Sequence, residues 1–253
     1  MLPDRHIFSL DSSDYLLARP RYPSALFAWL AENSLNRDIA WDCATGNGQA
    51  AVGLAQYFKQ VYASDISDQQ ILNSVPTSNI NYSVQVAENT LFSDSMFDLI
   101  TVAQALHWFD FERFWQEVQR VAKPNALFCA WGYSWFDCDS EVLSEFVLPI
   151  RKLIEPFWAV NNRILWDAYP EDLIKFPFKS IKMPFFSIEG SWTISQMDKY
   201  IQTWSAYKLA TKDKTIAKEI QSISFYALLK FQDKGSIEFS MPLTSIAGFV
   251  NPA

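Results

Sequence analysis

The hydrophobic pattern changes period repeatedly along the first half of the chain. Residues 39–44 form a short apolar run closed by turn residues, and 49–58 carry small and apolar side chains at helical spacing. Residues 60–66 (QVYASDI) predict a second strand ending in an acid, 67–74 a helix that Ser67 can cap, and 80–87 a third strand. The alternation continues through a strand at 97–104 (FDLITVAQ), a helix at 111–122 stopped before Lys123-Pro124, and a strand at 126–133 (ALFCAWGY). Alternating strands and helices predict an α/β fold with a doubly wound, mostly parallel sheet. The ligand crevice of such a sheet lies at the carboxyl ends of its strands, where Ala44, Asp65, Ala87 and Gln104 fall.

The rhythm stops after residue 133. Residues 134–194, rich in aromatics and proline, predict an inserted cap, and 195–209 (SQMDKYIQTWSAYKL) have helical spacing. Two β-like runs, 223–231 and 236–242, joined by QDKG, predict a closing antiparallel hairpin that brings the sheet to seven strands. The expected organisation is a core with an N-terminal lid over 1–133, the cap over 134–194, and a return to the core over 195–253.

Composition narrows the partners. The 253 residues are 49% hydrophobic and 19% charged with a net charge of -7, enough chain to bury a large core but without the basic face that phosphate backbones require. No nucleic-acid partner is expected. The N-terminus, MLPDRHIFSLDSSDYLLARP, lacks a basic-then-apolar leader pattern, and no later segment has the apolar length of a membrane span, so a cytoplasmic protein away from membranes is expected. Folding requires no partner chain, so a monomer or homodimer is expected. Three cysteines, Cys43, Cys129 and Cys138, without paired spacing signal neither a disulfide frame nor a metal site.

The candidate chemistry begins at residues 42–49, DCATGNGQ. Gly46 and Gly48 lie between the first strand and its helix, where absent Cβ atoms let a ligand meet bare backbone and the helix offers free N–H groups. A pyrophosphate of a dinucleotide or the methionine part of S-adenosylmethionine fits equally, and a purely structural turn is a third reading. Asp65 ends the second strand, where a carboxylate can accept both hydroxyls of an adenosine ribose. Both cofactors contain that ribose.

Several stretches together resemble the class I S-adenosylmethionine-dependent methyltransferases of the small-molecule, methyltransferase type 11-like group. They are residues 42–49, Asp65, Ala87-Glu88 followed by FSDSMFDLITVAQALHWFD at 92–110, and the closing segment. Tyr15-x-x-x-Arg19-Pro20-x-Tyr22-Pro23 resembles the subset that includes trans-aconitate methyltransferase-like proteins. Two positions depart from the family pattern: Ala44, where a glycine is common, and Val86, where an acid often precedes the third-strand alanine.

The resemblance implies S-adenosyl-L-methionine as cofactor. By it Asp42 holds the loop and the ammonium group, Ala44, Gly46 and Gly48 form the loop, and Asp65 takes the ribose. Ile66 and Leu106 would lie on the two faces of the adenine, Ala87 and Glu88 at its edge, and Gln104 near the sulfonium. Arg19 would pair with the methionine carboxylate or an acidic substrate, and Tyr15 would help close the site over the substrate. His107 is either a base or a hydrogen-bonded structural imidazole. Trp108, Arg163, Trp204 and Tyr207 are candidate substrate contacts, although cap aromatics also serve simply as core. The acceptor is expected to be a small molecule, with a carboxylate as one implied form. An NAD-linked oxidoreductase and a non-catalytic S-adenosylmethionine-binding protein stand as alternatives.

Overall fold

The computed structural model describes residues 20–251. Strands β1 (Ile39–Cys43), β2 (Gln60–Asp65), β3 (Ile80–Val84), β4 (Phe97–Ala103) and β5 (Ala122–Gly132) follow the predicted order and pair in parallel, with β1 between β2 and β4. Beyond them come β6 (Asp137–Cys138), β7 (Lys179–Ser180), β8 (Ser187–Trp192), β9 (Ile237–Pro242) and β10 (Thr244–Val250). The large sheet runs β3-β2-β1-β4-β5-β10-β7, and β10 is its one antiparallel member. The strand order reverses between β1 and β4, where the crevice of a doubly wound sheet opens.

Both faces of this sheet are covered. The helices α1 (Ser24–Asn33) and α2 (Gln49–Leu54) belong to a layer in which Leu26, Phe27, Leu30, Ala51 and Leu54 meet Ala40, Val61 and Leu99. On the opposite face α4 (Phe111–Val121) presents Phe114, Trp115, Val118 and Val121 to Trp41, Ile100 and Phe128. Spacing of three and four residues makes that stripe, and full burial of one such side chain contributes roughly 1.5–3 kcal/mol. Asp110 starts α4 by accepting the Arg113 backbone N–H at 3.3 Å, and Ser67 caps α3 (Asp68–Leu72) by accepting the Gln70 N–H at 3.3 Å.

The closing segment differs from its expected form. Residues 223–231, read as a strand, belong to a helix, Lys214–Phe231. Their aromatic and β-branched content imitates a strand, but the buried positions Ile220, Ser224, Ala227 and Phe231 fall on one helical stripe, and Asp213 caps the first turn by accepting the Thr215 N–H at 2.7 Å. The run at 236–242 contains β9, which sits between β6 and β8 in a separate antiparallel three-stranded sheet. The antiparallel pair that ends the large sheet is instead β10 with β7, brought together across more than 60 intervening residues.

The second sheet and its helices enclose their own apolar cluster, which includes Phe136, Phe146, Ile150, Met197, Tyr200, Ile220 and Phe239. Segments on both sides of residue 194 therefore build the cap, and β7, from within the region expected to be cap, joins the large sheet. Cys43 and Cys129 are buried free thiols, as their apolar surroundings imply.

Candidate functional site

A cavity of about 830 Å³ opens at the carboxyl ends of β1, β2 and β4 and extends beneath the cap. That is near the top of the range of roughly 300–1,000 Å³ for small-molecule sites, as suits a pocket for two ligands. The residues of the glycine loop, Ala44 to Gln49, line it together with Asp65, Ile66, Ala87, Glu88 and Gln104. His107, Trp108 and Trp204 line it as well.

The loop is held from below and from the side. Asp42 is fully buried and accepts the Thr45 hydroxyl at 2.5 Å and the Thr101 hydroxyl at 3.0 Å, while burial raises its pKa to about 6. Asp65 accepts the Gly46 N–H at 2.9 Å on one oxygen and the Ser67 N–H at 2.9 Å on the other. Burial pushes its carboxyl up, against those backbone bonds. Each of its oxygens keeps a further lone pair.

Backbone conformation shows why glycines stand here. Gly46 has φ +58°, and a Cβ on it would stand in the cavity, with Gln70 Oε1 the nearest atom at 3.8 Å. Gly48 has φ +92°, and a Cβ there would collide with the Tyr82 ring. Ala44, at φ +53°, occupies the left-handed region with a side chain that disfavours it. The position where the family commonly has glycine keeps the glycine conformation without the glycine.

His107 is 2% exposed, and burial alone lowers its pKa to about 4, so its imidazole is neutral at physiological pH. Its Nδ1 has no hydrogen-bond partner among the described residues, and neither has Trp158 Nε1. Gln104, at φ +60°, turns the chain out of β4 and donates through Nε2 to the Tyr133 carbonyl at 3.2 Å.

Comparison with known proteins converges on one family. A family model described as a methyltransferase domain matches residues 41–130. A Dictyostelium discoideum protein, provisionally named a methyltransferase, is 32% identical over 221 residues, spanning 85% of this chain and 83% of that protein. A solved structure from Anaeromyxobacter dehalogenans, provisionally titled a type II methyltransferase, superposes with a TM-score of 0.81 at 34% identity, over 93% of this chain and 99% of the other. The chain belongs to the class I S-adenosylmethionine-dependent methyltransferases. A Bacillus halodurans structure with TM-score 0.51 at 18% identity, over 90% of this chain and all of the other, shares the fold. The dinucleotide alternative left open by the glycine loop alone is thereby set aside.

The methyltransferase's loop fits its cofactor. The bare backbone at Gly46 leaves a cradle that a Cβ would fill, and Asp65 stands beside it with acceptor capacity to spare. S-adenosyl-L-methionine is the cofactor that this family uses.

Four of the expected site residues lie off the cavity wall. Asp42 is fully buried off the cavity wall, where it accepts the Thr45 and Thr101 hydroxyls and so braces the loop. Leu106 is fully buried in the layer of α4 and does not reach the cavity, so it offers no face to an adenine. Arg163 is exposed, and Tyr207 packs against the cap core; neither lines the cavity. Tyr15 and Arg19 lie outside the described residues. Trp158, Trp166, Tyr200 and Lys208 also stand in the wall; the sequence showed the abundance of cap aromatics, Trp158 and Trp166 among them, but not which side chains face the cavity.

Proposed function

We propose that the enzyme transfers the methyl group of S-adenosylmethionine to a small molecule bound under the cap. One observation carries this reading: the same cavity is lined by the glycine loop with Asp65 and by His107, Trp158, Trp166 and Trp204. Gly46 and Gly48 take the methionine part, Asp65 the ribose hydroxyls, and Ile66, Ala87 and Glu88 the adenine, with Gln104 bordering the sulfonium. Bound there, the cofactor supplies an electrophilic methyl group on a positive sulfur. The chain's own contribution is to align the acceptor and keep water away, which is how much of the effect arises in an in-line displacement.

Gln49 Nε2 donates to the Pro20 carbonyl at 3.1 Å, which ties the residue after Arg19 to the loop helix. Arg19 and Tyr15 are proposed to act on the methionine carboxylate and on the substrate. His107, which lines the cavity and is uncharged at physiological pH, serves as a hydrogen-bonding group toward the acceptor in preference to a strong base. A carboxylate on the acceptor would find Arg21 and Lys208 on the cavity wall.

The test is to incubate the protein with cofactor labelled in the methyl group and a small-metabolite extract, with S-adenosylhomocysteine binding measured in parallel by calorimetry. Label should appear in a small, extractable product. Label only in macromolecules, or homocysteine-nucleoside binding with no transfer, would overturn the small-molecule reading.

A further inference from the structure

The cap sets one continuous aromatic patch against the carboxyl ends of the central strands. Trp158, Trp166 and Trp204 all line the cavity, and their rings pack on one another: Trp158 meets Trp166 with centroids 5.5 Å apart at 84° and Trp204 at 6.2 Å and 48°. Trp135 packs against all three, at 5.6, 5.3 and 5.4 Å. Trp158 Nε1 is buried, so that indole offers a ligand ring carbon and no donor. Two contacts fix where the patch stands. Asn161 Nδ2 donates to the His107 carbonyl at 2.9 Å, just beyond β4. At the end of β5, Gly132 leaves room for two neighbours at once: a Cβ there would lie 2.7 Å from Leu165 Cδ1 and 2.8 Å from Gln104 Oε1. Leu165, which precedes Trp166 in the helix Asn162–Trp166, therefore stands beside the residue assigned to border the sulfonium.

Charge on the wall is divided between its two halves. The carboxylates, Asp65 at the end of β2 and Glu88 beyond β3, belong to the cofactor side, where Asp65 accepts the Gly46 and Ser67 N–H groups and Glu88 accepts the Asp110 N–H at 3.1 Å. The cap's share of the wall includes Lys208 and, among the described residues, no carboxylate. The aromatic cluster already holds a cation of the protein's own, since the Arg151 guanidinium lies 3.8 Å from the Trp135 ring centroid. An ammonium on the acceptor would meet like charge at Lys208 and at the sulfonium, and its desolvation would go uncompensated.

We propose, on the reading of this cavity as the acceptor site, that the methyl acceptor has a flat aromatic body without positive charge, held on the patch of Trp158, Trp166 and Trp204. Area burial alone would admit any apolar molecule of the right size. Ring-on-ring contact adds a preference for another aromatic, worth about three- to tenfold in affinity beyond area. With Trp158 and Trp166 nearly perpendicular, a ring stacked on one meets the other edge-on, and both arrangements are favoured.

The full-length protein saturated with S-adenosylhomocysteine is titrated at pH 7 by calorimetry with three probes of one carbon skeleton: 2-naphthylmethanol, its saturated decahydro counterpart, and 2-naphthylmethylammonium. 2-Naphthylmethanol should bind about three- to tenfold tighter than the saturated alcohol and at least about tenfold tighter than the ammonium. W166L keeps apolar bulk and removes a ring plane; it should erase most of the preference for the flat alcohol over the saturated one while S-adenosylhomocysteine binding persists. Equal or tighter binding of the saturated alcohol or of the ammonium, or an undiminished preference in W166L, would overturn the proposal. The ranking on the unaltered protein decides the matter even if W166L fails to fold. Absence of S-adenosylhomocysteine binding would instead count against the cofactor assignment, while its binding with all three probes rejected defeats this inference alone.

Discussion

Asp65 accepts the backbone N–H of Gly46 at 2.9 Å, so the acid that ends β2 also fixes the loop that follows β1. One carboxylate thus shapes the cofactor loop and, in the proposed complex, holds the ribose. Asp65→Ala should lower S-adenosylhomocysteine affinity by at least about tenfold, since it leaves a backbone N–H without its acceptor as well as deleting a ligand contact. Calorimetry measures the affinity; an unchanged value would remove Asp65 from the site.

Ala44 carries the opposite lesson. Its φ of +53° costs an L-residue about 1–2 kcal/mol, and a glycine offsets part of that gain through its freer unfolded chain. Ala44→Gly should stabilise the fold by about 0.5–1 kcal/mol, read as a higher unfolding midpoint, with cofactor binding intact. A lower midpoint would mean that the Ala44 methyl makes packing contacts worth more than the strain.

At Gly48 the strain and the crowding act together. Gly48→Ala combines a φ of +92° with a collision against Tyr82, and should destabilise by about 1–3 kcal/mol while abolishing S-adenosylhomocysteine binding. Replacing Tyr82 by alanine in the same chain removes the collision but not the strained φ, so it should return part of the stability. Full recovery would show that the left-handed conformation is unimportant there.

His107 makes stability depend on acid. Its folded pKa of about 4 lies below its ordinary 6.5, so between those values the unfolded chain holds a proton that the folded chain does not. Stability from this group is therefore fully present above about pH 6.5 and is lost progressively as pH falls toward 4. Going from pH 7 to 5 should cost the native protein on the order of 2 kcal/mol more than it costs His107→Phe, measured by denaturant unfolding at each pH. Parallel losses in the two proteins would mean that the imidazole is more hydrated than its burial implies.

The first five strands were legible because each is a short apolar run closed by turn residues, a local pattern that survives whatever packs on it. The segment 223–231 was not: Ile223, Phe225, Tyr226 and Phe231 favour a strand locally, and only packing of Ile220, Ser224, Ala227 and Phe231 onto the cap decides for a helix. The glycine loop showed its chemistry in residue types alone. Cap residues did not, because aromatic side chains look the same in sequence whether they fill a core, as Tyr207 helps to do, or line a cavity, as Trp158 does.

The sequence by itself determined the alternating α/β core, the loop at Gly46 and Gly48, and the acid at Asp65, since each depends on period, backbone freedom or charge within a few neighbouring residues. Tertiary structure alone decided that β10 pairs with β7 across a long insertion, that Leu106 and Asp42 lie off the cavity wall, and that His107 and Trp158 line it. Those outcomes rest on contacts between residues far apart in the chain, and a linear pattern of polar and apolar positions does not record which distant surfaces meet.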